Sequence, residues 1–155
     1  MTHSGQVMGV LTVFIKIIVV IFILHVLLLV LQFCIAGIVG GKNPFKLLGN
    51  MLPAYFTALG TQSSAATIPV TLQQAIKNGV SPNIATFVIP LCATIHLSGS
   101  TMKIVACSMA VLLMNGMGID LGSYAGFIFM LGITMVAAPG VPGGAIMAAL
   151  GVLEG

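Results

Sequence analysis

Apolar positions gather into four long stretches separated by short polar turns. Residues 10–40 are apolar almost throughout. At 1.5 Å per residue such a helix crosses a hydrocarbon core of about 30 Å with tilt to spare. It is much longer than the 7–15 apolar residues of a signal peptide, so it reads as a true span and not a cleavable leader. Lys16 near its start reaches the interface by snorkelling. Gly40-Gly41 end it, and Lys42-Asn43-Pro44 make a polar turn.

The second stretch, residues 47–76, divides at Gln62-Ser63-Ser64-Ala65-Ala66-Thr67-Ile68-Pro69. Each arm, about a dozen residues, covers about 15–20 Å, roughly half the core. Two half-length arms predict a re-entrant helical hairpin. Lys42 and Lys46 before it and Lys77 after it satisfy the positive-inside rule if both ends face the cytoplasm. The third stretch, residues 84–114, is full length but holds a polar patch from Cys92 to Ser100, bracketed by Pro90 and Gly99. It predicts a membrane helix interrupted or unwound at that patch. Asn115 to Asp120 form the next turn. The fourth stretch, residues 121–155, breaks at Ala138-Pro139-Gly140-Val141-Pro142-Gly143-Gly144, a second hairpin entering from the opposite face. Exposed backbone is tolerated at membrane depth only where protein buries it or a cavity borders it. Paired interruptions of this kind point to a transporter's binding site.

Composition supports a multi-pass membrane protein. Charged residues make up 5% of the 155, against about 25% in soluble domains. Lys16, Lys42, Lys46, Lys77 and Lys103 outweigh Asp120 and Glu154. They form no basic run, which argues against a nucleic-acid partner. Cys34, Cys92 and Cys107 lie in apolar stretches without CxxC or zinc spacing and read as small packing residues. His3, in a polar N-terminal tail, and His25, on the first span, have no partner at metal-ligand spacing. No metal site is expected.

Three strings carry a family resemblance. Ser63-Ser64-Ala65-Ala66-Thr67-Ile68-Pro69-Val70-Thr71 resembles the serine-rich first hairpin tip of the dicarboxylate/amino acid:cation symporters, the glutamate/aspartate transporter homologues. Pro90-Leu91-Cys92-Ala93-Thr94-Ile95-His96-Leu97-Ser98-Gly99-Ser100 looks like their unwound seventh helix, P-L-G-A-T-I-N-M-D-G-T. Ala138 to Gly144 is similar to their second hairpin tip. The order and spacing match over nearly the whole chain. The resemblance implies an all-α membrane protein, a partial transport domain of the glutamate-transporter fold. It would comprise two full transmembrane helices (10–40 and 84–114) and two re-entrant hairpins of opposite orientation (47–76 and 121–155). The family's five scaffold helices and its last helix have no counterpart here, so the chain is expected to be a piece of a transporter. By the same resemblance the full protein is a homotrimer in the plasma membrane.

The resemblance also assigns roles. Ser63, Ser64 and Ser100 would contact substrate, with backbone groups of Val141, Pro142, Gly143 and Gly144. Half-helix ends at such tips offer N–H groups and dipoles suited to a carboxylate. The second tip, rich in glycine, would be the extracellular gate. Cys92, Thr94, His96 and Ser98 occupy the family's cation-binding stretch, in which His96 and Ser98 stand where the pattern has Asn and Asp. Imidazole is a poor sodium ligand, and Ser98 keeps an oxygen without the charge. Lys103 lies two turns beyond His96 and on the same face if the helix is regular there. A proton on His96, or the fixed charge of Lys103, is therefore expected to replace a bound cation.

The expected function is symport of an anionic amino acid or dicarboxylate with sodium or a proton, by alternating access and without a further cofactor. The alternative is a pore-lining or structural membrane protein with re-entrant loops. A pore needs one loop repeated about an axis, whereas these two loops are unlike. An intramembrane enzyme is disfavoured because Ser64 with His96 lacks a carboxylate orienter.

Overall fold

The structure is a computed structural model that describes residues 3–118 and 120–153. Ile119 of the expected 115–120 turn, and Glu154 and Gly155 of the expected second hairpin, lie outside the described residues. Seven α-helices follow one another, with no strand among the described residues: α1 His3–Gly40, α2 Pro44–Thr61, α3 Ser64–Lys77, α4 Pro82–Ile95, α5 Ser98–Met114, α6 Leu121–Met135 and α7 Gly144–Leu153. α1 takes in His3, so the expected polar tail is helical from that residue on.

Among the described residues two segments are long and apolar enough to cross a membrane. They are Leu11–Gly40, with mean hydropathy 3.2, and the α4–α5 stretch Pro82–Met114, with mean hydropathy 1.6. Neither is covered by the rest of the chain. Large apolar side chains such as Ile38, Phe87 and Leu121 face outward, and Leu131 is the largest side chain buried completely. Such a surface suits lipid or further protein rather than water.

Gly41, in the left-handed region, ends the turn out of α1. Asn43 then caps α2: its side chain accepts from the N–H groups of Phe45 (3.0 Å) and Lys46 (3.3 Å), and Pro44 fills the first helical position. An N-cap and a proline at that position both suit a helix start, since neither needs an intrahelical donor. α2 therefore begins three residues before the expected 47. α3 folds back on α2 as a helical hairpin closed at its base. Asn50 Nδ2 donates to Asn78 Oδ1 at 2.7 Å, and Asn78 Nδ2 donates to the Leu47 carbonyl at 3.1 Å. Lys42 Nζ adds a bond to the Asn78 carbonyl.

α3 continues against α4, while α1 packs along α2 and α5. α6 and α7 pack on each other and on α5 around Leu131, Met135, Ala138 and Ala149. Tyr124 ties α6 to α5: its hydroxyl donates to the Val105 carbonyl at 2.7 Å and meets Ser108 Oγ at 2.8 Å.

The interruptions are narrower than the sequence suggested in two places. The first occupies only Gln62 and Ser63, and Pro69 lies inside α3. The second occupies only His96 and Leu97, and Pro90 lies inside α4 instead of bracketing the break. A proline removes one intrahelical bond, a loss that membrane helices tolerate when neighbouring groups compensate. The third interruption is residues 136–143 where 138–144 were expected: α6 ends two residues early and Gly144 opens α7.

Candidate functional site

The first tip and the last turn of α4 meet the second tip at Gly140. The first tip turns on Gln62, at φ 51° in the left-handed region, whose N–H still bonds to the Ala58 carbonyl. Ser63 follows in extended geometry as the N-cap of α3, accepting from the Ala66 N–H at 3.2 Å. The same Ser63 hydroxyl donates to the Gly140 carbonyl at 2.9 Å, and the Ala65 N–H donates to that carbonyl at 3.0 Å. One oxygen of the second tip thus sits on the N-terminal end of α3, where orphan N–H groups and the helix dipole favour an acceptor.

Gly140 is required by this approach. A Cβ there would lie 2.8 Å from the Ala93 carbonyl oxygen and 3.4 Å from Ser64 Cβ. Ala93 belongs to the last turn of α4, so the unwound helix is the third wall. Ser63 and Thr67 are buried, and Thr67 Oγ1 donates to the Ser63 carbonyl at 2.7 Å while meeting Thr61 Oγ1 at 3.2 Å. Every hydroxyl in this mesh has a partner, and no buried side-chain polar atom among the described residues is left without one.

Of the expected substrate residues, Ser63 is at this meeting point with both its donor and its acceptor engaged. Ser64 is half-buried beside it. Val141, Pro142 and Gly143 are exposed on the loop, with Gly143 at φ 78°. Gly144 is buried and starts α7 pressed against the Pro139 carbonyl, where a Cβ has no room. Ser100 lies away from the tips. It faces a cavity of about 860 Å³ between α5, α6 and α7 that Lys103, Ser108 and Tyr124 also line.

The expected cation-handling residues divide into two groups. His96 is the residue after α4, its N–H bonded to the Cys92 carbonyl at 3.0 Å. Its Nε2 lies 3.1 Å from Gln32 Nε2 on α1 and 3.4 Å from Ser98 Oγ. Thr94 bonds within its own helix, to the Leu91 carbonyl at 3.0 Å. Lys103 is elsewhere, in the cavity with Ser100. The shared face expected for His96 and Lys103 required an unbroken helix, and the chain breaks between them at Leu97. Ser98 lines a groove against α1, whereas Lys103 looks toward α6 and α7.

Gln32 was not singled out from the sequence, and His25 was weighed only as a metal ligand. His25 Nδ1 lies 3.5 Å from where a Cβ on Gly99 would be, and its ring sits 5.8 Å from that of Tyr55. A signal existed: two polar residues seven apart share one face of an otherwise apolar helix. At the mouth of the cavity Asp120 caps α6, accepting from the Ser123 N–H at 2.9 Å and hydroxyl at 2.8 Å. Those bonds, the backbone one first, hold its carboxyl below the usual carboxylate range.

Comparison with known proteins finds transporter relatives. The chain matches the sodium:dicarboxylate symporter family over residues 1–155. It is 32% identical to human excitatory amino acid transporter 2 over 117 residues, which are 75% of this chain and 20% of that protein. It is 30% identical to rat neutral amino acid transporter B(0) over 114 residues, 73% of this chain and 20% of that protein. Mouse excitatory amino acid transporter 4 is 33% identical over 104 residues, 65% of this chain and 18% of that protein. The chain therefore spans about a fifth of the length of these relatives, which are transporters and not enzymes. The chain belongs to the sodium:dicarboxylate symporter family.

Proposed function

We propose that this chain forms the substrate- and cation-handling part of a secondary transporter that moves an anionic amino acid or dicarboxylate together with a cation. The observation that carries the proposal is the convergence of Ser63 and Ala65 at the first tip, Ala93 in the last turn of α4 and Gly140 at the second tip. Capped half-helix ends meeting inside an apolar bundle are the arrangement that discontinuous-helix transporters use to hold a charged solute at mid-membrane. A substrate carboxylate takes the place of the Gly140 carbonyl, receiving the Ser63 hydroxyl and the Ala65 N–H. Ser64 and the backbone of residues 141–144 complete the contact, whereas Ser100 lines the separate cavity between α5, α6 and α7.

The two hairpins, α2–α3 and α6–α7, enter from opposite faces of the plasma membrane as re-entrant elements, and the second swings away as the gate. Alternating access then moves this unit against a trimeric scaffold. Sodium coupling is supported by the family and by the oxygens near the α4–α5 break. His96 and Ser98 stand where the family pattern has an amide and a carboxylate, so a proton on His96 substitutes for one cation.

The test is uptake into proteoliposomes of labelled aspartate, succinate and alanine, driven separately by sodium and proton gradients. Uptake of aspartate or succinate that falls at least tenfold in Ser63→Ala supports the site. Uptake of alanine alone would overturn the anionic assignment. Strict sodium dependence at fixed pH, unchanged by His96→Asn, would remove the proton from the mechanism.

A further inference from the structure

Three of the five lysines gather at the base of the first hairpin. Lys42 lies in the turn out of α1, Lys46 in the first turn of α2 and Lys77 in the last turn of α3. Asn78 draws them together. Its carbonyl accepts from Lys42 Nζ, and its Nδ2 donates to the carbonyl of Leu47, the residue after Lys46. Lys77 is its own neighbour in the chain. Gly79, at φ 85°, leaves room for the Lys42 ammonium, which a Cβ there would strike. All three lysines are exposed.

Gathering like charges costs Coulomb energy that a shared anion recovers. A lysine ammonium has three donors and no acceptor. Lys42 uses one on the Asn78 carbonyl, which fixes the group and leaves two for a further acceptor. A side chain already held in place loses little freedom when it binds.

Apolar side chains stand beside these charges. Ile38 and Val39, in the last turn of α1, are 79% and 83% exposed, and Phe45, next to Lys46, is 69% exposed. Gly37 abuts Pro44, where a Cβ would lie 2.7 Å from Cγ, so the end of α1 is pressed on the start of α2. Charged heads next to bare apolar side chains suit the boundary between headgroups and hydrocarbon. An inorganic anion or an acidic peptide uses only the charges. A phospholipid uses both parts, phosphate oxygens on the lysines and acyl chains on the apolar collar. In a zwitterionic lipid the same lysines also repel the headgroup amine, so a net negative headgroup is favoured.

We propose that the base of the α2–α3 hairpin binds the headgroup of an anionic phospholipid, with Lys42, Lys46 and Lys77 on its phosphate and Ile38, Val39 and Phe45 against its acyl chains. The site requires only that the chain lies in a bilayer, and it stands whichever solute is transported. Lys42 bonds Asn78, which fastens the hairpin base, so the lipid is joined to that fastening.

The test is native mass spectrometry of the chain in detergent micelles, titrated with phosphatidylglycerol or with phosphatidylcholine of the same acyl chains. Phosphatidylglycerol is expected to bind at least about tenfold more tightly. Each lysine near an anionic headgroup is worth about fivefold in affinity. Lys46→Gln with Lys77→Gln therefore weakens phosphatidylglycerol about 25-fold and leaves phosphatidylcholine nearly unchanged. Adding Lys42→Gln removes the preference. The double variant keeps the Lys42–Asn78 bond and serves if the triple variant fails to fold, with helix content as the check. Lys16→Gln, toward the other end of α1, keeps the preference. Equal affinity for the two lipids overturns the proposal, and so does a loss in Lys16→Gln as large as in the double variant, which would report net charge alone. Displacement of phosphatidylglycerol by inorganic phosphate would make this a free-phosphate site, and displacement by a short polyglutamate peptide a surface for an acidic protein segment. Either result overturns the lipid assignment.

Discussion

The two helical hairpins begin from the same sequence signal, an apolar stretch broken in its middle, and they are built differently. The α2–α3 pair turns over two residues, with a left-handed Gln62, a serine cap and a mesh of threonine hydroxyls at its tip. Its base is fastened by Asn50, Asn78 and the Leu47 carbonyl. The α6–α7 pair turns over residues 136–143, and its tip is joined to the first through backbone atoms of Gly140. What holds its arms is apolar packing around Leu131 and Ala149. Directional bonds fix one arrangement, whereas small apolar contacts allow several of similar energy. The fastened hairpin suits a fixed wall, and the packed one suits a moving part.

That contrast can be broken most severely at Gly140. A leucine there meets the Ala93 carbonyl at once. Overpacking of this kind costs about 1–3 kcal/mol or more. Spin labels on the two tips should report a wider, broader distance distribution in Gly140→Leu than in the parent. An unchanged distribution would mean that the tips do not depend on this contact.

Next in size is the base of the first hairpin. Asn78→Leu leaves Asn50 Nδ2 without a partner and removes the side-chain bond to the Leu47 carbonyl, at about 1–3 kcal/mol. Hydrogen exchange should speed up in the last turn of α3 and stay unchanged in α6 and α7. Equal acceleration in both hairpins would erase the distinction between them.

Ser63→Ala has a smaller effect on stability, about 1 kcal/mol for the lost cap. The Ala65 N–H still holds the Gly140 carbonyl, so the tips stay together. Protection of the first-turn amides of α3 should fall, and separation of the tips at this substitution would show that the hydroxyl carries the whole contact.

The smallest effect concerns Asp120. Its carboxyl titrates below the ordinary value of 3.8 because Ser123 bonds the ionised form. The cap's contribution is therefore fully present above the unfolded value. It is lost as pH falls through the lower folded value. Exchange in the first turn of α6 should rise only in that acid window, and Asp120→Asn should abolish the pH dependence. A response near neutral pH would point to another group.

Much of this architecture was legible because polar and glycine-rich residues inside apolar stretches have few other uses. The helix order and all three interruptions follow from that pattern. Their widths did not, because Pro69 and Pro90 carry the strongest breaker signal and yet lie within helices. Gln62, Ser63 and His96 make the real ends through backbone geometry and capping. The Ser63–Gly140 bond joins residues 77 positions apart and depends on how three elements pack, which no local pattern encodes. The same holds for Gln32, whose contact with His96 appears only once α1 lies against the α4–α5 break. Lys103 shows the converse: a spacing argument paired it with His96, and one break in the helix turned it to the other side.

The carbonyl of Gly140 makes the protein its own competitor. In the proposed site it already occupies the donors that a substrate carboxylate would need, so a ligand would gain only the difference between its bonds and those it displaces. Two hydrogen bonds of about 0.5–1.5 kcal/mol each weaken the apparent affinity roughly 5- to 150-fold relative to a site held open. That loss is also a filter. A ligand with no strong acceptor leaves the two donors bare and gains nothing by displacing the glycine carbonyl, whereas a carboxylate replaces a neutral acceptor with a charged one. In the proposed site, selection for anions would then be exerted by a backbone atom.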